Sequence, residues 1–234
     1  MNKEEFVLEV EKLGIEVTDE KLQKLESFYR LLIEWNEKIN LTAITLEEDV
    51  YLKHFYDSLT LVKAIDLNQN LSLCDVGSGA GFPGIVLKIF FPNIRITLVD
   101  SLNKRVNYLN TVISSLNLSD IVAIHSRMED FSKLNEEKFD IITARAVASI
   151  SFLSEISVKA LKVGGKLIFM KANCDLELAN INNVLKKLSL TMLEPIRFNL
   201  PVENSNRTLI TMIKKDFTSS KFPRSLDKIK RNPL

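Results

Sequence analysis

The chain has 234 residues, is 46% hydrophobic and 26% charged, holds only 7 Gly and 6 Pro, and has a formal net charge of +1. This is globular composition that excludes disordered, collagenous and low-complexity chains, and the length suits one or two domains. No stretch approaches the roughly 18 uncharged apolar residues of a spanning helix, since Lys88 interrupts even the dense run from Phe82 to Phe91. The acidic start Asn2-Lys3-Glu4-Glu5 is unlike a signal peptide, so a cytoplasmic protein with no membrane association is expected. Cys74 and Cys174, and His54 and His125, stand far apart without metal-ligand spacing; neither a disulfide framework nor a metal site is expected.

Charge is unevenly spread. Residues 1–20 carry two lysines against seven carboxylates, whereas 214–234 carry seven basic residues against two acidic ones. Pro223 and Pro233 argue against a long helix in that tail, leaving a solvated terminus or a phosphate-contacting arm.

From Thr18 onward, Leu22, Leu25, Phe28, Leu32, Trp35 and Ile39 recur every three or four residues, the stripe of an amphipathic helix that Thr18 can cap. Trp35 lies on this stripe and reads as core. Residues 46–65 predict one or two further helices, so 1–69 form a helical region. After Asn68-Gln69-Asn70, short apolar runs at 71–76, 94–99, 121–125, 139–143 and 165–171 alternate with helical stretches at about 83–91, 103–117, 150–161 and 175–188. That alternation predicts a parallel sheet with crossover helices. Segments 191–198 and 207–214 follow with no helix between them and should pair as an antiparallel edge hairpin, completing an α/β fold with a seven-stranded, mostly parallel sheet over 70–214, followed by the tail 215–234.

The first strand runs into Asp75-Val76-Gly77-Ser78-Gly79-Ala80-Gly81-Phe82-Pro83-Gly84, a glycine loop where open α/β sheets bind ligands. A dinucleotide fingerprint would need Gly or Ala where Phe82 stands, and the P-loop pattern is absent. Asp100 ends the second strand, where a carboxylate accepts ribose hydroxyls.

This pairing of glycine loop and strand-end Asp100, with Leu161-Lys162-Val163-Gly164-Gly165-Lys166-Leu167 before the fifth strand and an edge hairpin after it, resembles the class I S-adenosylmethionine-dependent methyltransferases, with their Rossmann-like fold. More specific words are Trp35-Asn36 with Asn40-Leu41-Thr42, His54-Phe55-Tyr56-Asp57-Ser58-Leu59, Gly81-Phe82-Pro83-Gly84, Thr143-Ala144-Arg145-Ala146-Val147-Ala148 and Phe222-Pro223-Arg224. Along essentially the whole chain these words resemble the GidB family of bacterial 16S rRNA guanine-N7 methyltransferases, which act in the small-subunit decoding region. The resemblance implies S-adenosylmethionine as cofactor at Gly77, Gly79, Phe82, Asp100, Met128, Glu129 and Arg145. It implies 16S rRNA or a small-subunit precursor as partner and guanine 527 as target; no protein partner is inferred. One departure is Ser225, where a second basic residue would be expected after Arg224.

Arg145, at the end of strand four, can contact phosphate, carboxylate or guanine O6, or can form a structural salt bridge. His54 is either a structural imidazole or a catalytic one. Arg145 and His54 are the catalytic candidates. Lys171, Arg207, Arg224, Lys228, Lys230 and Arg231 are the RNA-binding candidates, with the tail expected to leave the cofactor pocket untouched unless it also packs against the sheet. Guanine N7 carries a lone pair and no proton, so transfer to it needs alignment and electrostatics, not a base. A methyltransferase of small molecules or proteins, and a non-catalytic nucleotide-binding module, remain open.

Overall fold

Parallel strands that are apolar on both faces need helical cover on each side, and the order of elements supplies it. The computed structural model describes residues 1–234. Helices α1 (Lys3–Lys12), α2 (Asp19–Ile39) and α3 (Glu47–Val50), a π-helical stretch Tyr51–Tyr56, α4 (Asp57–Leu59) and a 3-10 turn Thr60–Lys63 precede the sheet. Then come β1 (Ser72–Val76), α5 (Gly84–Phe90), β2 (Arg95–Asp100), α6 (Asn103–Ser115), β3 (Ile121–His125), α7 (Met128–Leu134), β4 (Phe139–Arg145) and α8 (Ile150–Ser157). The chain continues through β5 (Leu161–Lys171), α9 (Asp175–Ala179), α10 (Asn182–Lys187), β6 (Leu190–Met192), β7 (Ile196–Asn199), β8 (Asn206–Lys214) and α11 (Leu226–Arg231).

The strand order is β3-β2-β1-β4-β5-β8-β6, with β7 also paired to β8; β1 to β5 run parallel and β8 is antiparallel to its neighbours. The direction of winding reverses between β1 and β4, which opens a crevice at their carboxyl ends. One apolar layer joins Phe6, Phe28, Leu32 and Phe55 of the helical front to α5, α6 and the sheet, so residues 1–69 share a core with the sheet. The other joins α7, α8 and α10 to the opposite face, and includes Phe222 and Ile229 of the tail.

The sheet has eight strands, a correction to the seven expected. Residues 191–198 divide because Pro195 cannot donate to the ladder, so β6 and β7 pair separately with β8. The fifth strand begins at Leu161, taking over the end of the expected helix 150–161; its register on β4 shifts between Phe139 and Ile141, and Gly164 takes φ +81° there. The helix expected over 175–188 is two short ones. Helix α1 lies inside the helical region expected over 1–69, and α7 is an addition to the expected helices. The first is closed by a capping box between Asn2 and Glu5, and the second has only seven residues.

Candidate active site

Leaving β1, the chain must turn sharply, and Gly77, Gly79 and Gly81 adopt φ of +68°, +54° and +95° to do so. Gly84 opens α5 so close to β2 that a Cβ there would overlap Leu98 and lie 2.9 Å from Asp75 Oδ2. Asp100 fastens the loop: Oδ2 accepts the Gly79 N–H at 2.9 Å and Oδ1 accepts the Leu102 N–H at 2.9 Å. The loop, Asp100, Arg105, Thr42, His54, Phe82 and Arg145 border a cleft of about 360 Å³. A smaller chamber of about 190 Å³ lies beyond, bordered by Met128, Glu129, Arg127, Val99, Leu226 and Lys230. Gly77, Ser101 and Val147 line both spaces. The residues expected to bind cofactor are therefore brought together around one groove.

Phe82 explains why this loop departs from the dinucleotide pattern. Its ring is buried among Phe28 and Phe55, with centroids 5.2 and 6.0 Å away, and stacks on His54 at 4.4 Å. The Arg145 guanidinium lies over its face, 5.1 Å from the centroid. Arg145 donates to Lys53 O at 2.6 Å, to Asp57 Oδ2 at 3.2 Å and to His54 Nδ1 at 3.0 Å. Asp57 in turn accepts from Arg207 Nε at 3.0 Å.

His54, expected as either a structural or a catalytic imidazole, has both ring nitrogens engaged within the protein. Nδ1 receives the Arg145 hydrogen bond, which leaves the proton on Nε2 to be donated to Thr42 Oγ1 at 2.9 Å. Burial and the neighbouring guanidinium push its pKa down to about 3, so the ring is neutral. Thr42 is brought there by Asn36, whose Oδ1 accepts the N–H of both Leu41 and Thr42 after Asn40 turns the chain with φ +48°. Below the loop, Asp75 Oδ2 accepts the Gly84 N–H at 3.0 Å while Oδ1 is buried without a partner; burial raises this carboxyl to about 7.

Three of the expected RNA contacts are engaged inside the protein. Lys171 donates to Ala148 O at 2.6 Å and Glu177 at 2.9 Å, pinning the loop after β4. Arg207 is held by Asp57. Arg224 grips the fully buried Glu155 with two 2.6 Å hydrogen bonds. Together with buried Phe222 and Ile229, that pair seats the tail on α8 and brings Leu226 and Lys230 of α11 to the border of the smaller chamber. Lys228, Lys230 and Arg231 are exposed and form no ion pair. Arg105, 3.7 Å from Asp100, and the groove residue Leu226 are not singled out by the sequence. A cation one helical turn into α6 after a strand-end carboxylate could have flagged Arg105.

A glycine loop tied to a strand-end carboxylate at the switch point of a sheet with an antiparallel β8 defines a class I methyltransferase fold. A SAM-dependent methyltransferase from Aquifex aeolicus superposes with a TM-score of 0.54 at 17% identity, covering 72% of this chain and 95% of that one. The family described as GidB, rRNA small subunit methyltransferase G, matches residues 21–209, and the chain belongs to it. Ribosomal RNA small subunit methyltransferase G of Exiguobacterium sibiricum is 44% identical over 100% of both chains. The protein of that name from Bacillus thuringiensis is 46% identical over 96% of this chain and 95% of its own.

Proposed function

We propose that the chain transfers the methyl group of S-adenosylmethionine to N7 of a guanine of 16S rRNA, guanine 527 by the motif resemblance. The substrate is rRNA or a small-subunit precursor in the cytoplasm. The observation that carries this reading is the Asp100 carboxylate bound to the Gly79 N–H, which sets a glycine cradle and an acid at one groove, with Arg145 on its rim. The residues fit the cofactor. Gly77 and Gly79 present backbone without side chains, and each Asp100 oxygen keeps a lone pair for a ribose hydroxyl after accepting one N–H. Met128 and Glu129 border the chamber suited to adenine.

The cofactor supplies an electrophilic methyl on a sulfonium. The protein must align it with the N7 lone pair and exclude competing geometries. No residue has to remove a proton, and the neutral, doubly hydrogen-bonded His54 matches that requirement. Arg145 has three of its five N–H groups committed, leaving two for guanine O6 or a phosphate oxygen.

Transfer of labelled methyl from S-adenosylmethionine to a panel of 16S rRNA, subunits, proteins and small molecules, followed by nucleoside mapping, tests the reading. Label is expected in 7-methylguanosine of 16S rRNA, and 7-deazaguanine at the target should abolish transfer. Label on protein alone, or on the 7-deaza nucleotide, overturns it. Calorimetry of Asp100→Ala should show a loss of about 1–3 kcal/mol in cofactor binding.

A further inference from the structure

The tail holds a feature that a phosphate-contacting arm does not require. Leu226 and Lys230 are four residues apart on α11, hence on one face of the helix, and both line the chamber that also contains Met128 and Glu129. Ile229 points into the second apolar layer and is 1% exposed. The helix is fixed at its entry by Arg224, whose backbone N–H as well as its guanidinium bonds to Glu155 of α8. Phe222, 3% exposed, adds an apolar anchor two residues earlier. A segment fixed at Phe222, Arg224 and Ile229 presents Leu226 and Lys230 to the groove at a defined place.

We infer that α11 is a wall of the cofactor site: Leu226 packs on the purine of the adenosine moiety, and the Lys230 ammonium binds an acceptor nitrogen or hydroxyl of that moiety. This assignment rests on the S-adenosylmethionine reading above. The chamber has the chemistry of a purine subsite. Val76, Val99, Met128, Phe152, Ile156 and Leu226 give it apolar surface, and Lys230 and Arg127 give donors for a base that carries ring-nitrogen acceptors. Without α11 the chamber would be open to water on that side. The C-terminal twenty residues then serve the cofactor from inside the fold, and Lys230 is a cofactor-binding residue.

Isothermal calorimetry with S-adenosylmethionine on the full-length chain tests this, using Leu226→Ala, Lys230→Ala, and Lys215→Ala as a tail substitution of equal charge change outside the chamber. Leu226 is only half-buried and Lys230 is exposed, so both variants should melt with the parent chain. Lys230→Ala should weaken cofactor binding roughly tenfold and Leu226→Ala several-fold, with Lys215→Ala unchanged. Parental affinity in both chamber variants overturns the assignment while leaving the cofactor reading standing. A parent chain that binds no S-adenosylmethionine, in a preparation that melts cooperatively, overturns the cofactor reading and the tail assignment with it.

Discussion

Asp75 and His54 titrate in opposite senses, and each carries a testable pH dependence. The Asp75 carboxyl is raised by burial from 3.8 to about 7, so between those values the folded chain holds a proton that the unfolded chain has lost. Its contribution to stability is complete below about pH 4 and is lost as pH rises toward 7. For His54 the folded value is lowered from 6.5 to about 3, and stability is lost as pH falls through 6.5 toward 3. The two slopes oppose each other in the parent chain. Denaturant unfolding across pH 4 to 7 should find Asp75→Asn gaining on the parent as pH rises, and His54→Gln gaining on it as pH falls; a flat difference for either removes that residue's assigned ionisation. Single-turnover methyl transfer should show no inflection at the histidine's ordinary pKa, and any inflection near 7 should vanish in Asp75→Asn. At this scale the sequence was informative wherever chemistry is local: the glycine turn, Asp100 at a strand end, Thr18 as a cap. It was silent on the partners of Asp57, because Arg145 and Arg207 lie 88 and 150 residues away along the chain.

Among the elements, α4, β4 and β8 meet at a single buried carboxylate. Asp57 has a side chain 5% exposed and bridges Arg145, 14% exposed, to Arg207, 19% exposed. Removing it leaves two guanidinium groups in a mostly dry position with no counter-charge. Asp57→Ala should therefore lower unfolding free energy by about 3–5 kcal/mol. A double-mutant cycle with Arg207→Ala should recover part of that loss, since one orphaned charge leaves with it. Additive losses would show that the bridge is not a coupled unit. The parallel strands were readable because burial on both faces leaves continuous apolar runs, and β8 because it stands alone after the last helix. Pro195 interrupts an apolar run that otherwise reads as one strand, and α7, embedded in a polar stretch beside Arg127, offers too few apolar turns for periodicity to show.

At the scale of the whole molecule, the basic tail splits into cations that hold the fold and cations left for a polyanion. Lys214 is buried, donating to Glu137 at 3.1 Å and to Leu161 O at 2.7 Å, and Arg224 is committed to Glu155. Lys215, Lys221, Lys228 and Arg231 remain exposed and outside the chamber that Lys230 borders. Sequence could count these charges but could not separate the two groups, because the separation depends on which of them meets a buried acceptor in the tertiary fold. The two groups should differ in their dependence on salt. A cation on an RNA phosphate displaces a condensed counterion, so replacing both Lys228 and Arg231 by Ala should flatten the plot of log binding constant against log salt by about 1.4–1.8. Arg224→Ala should do the reverse. It breaks a pair whose Glu155 is fully buried, so the expected cost is about 3–5 kcal/mol in unfolding free energy, with a lower Tm and the salt slope of RNA binding retained in the fraction that is folded. An unchanged slope in the Lys228→Ala, Arg231→Ala double variant would mean that the rRNA docks on another face. A flattened slope in Arg224→Ala at parental Tm would mean that this arginine leaves Glu155 to meet the RNA.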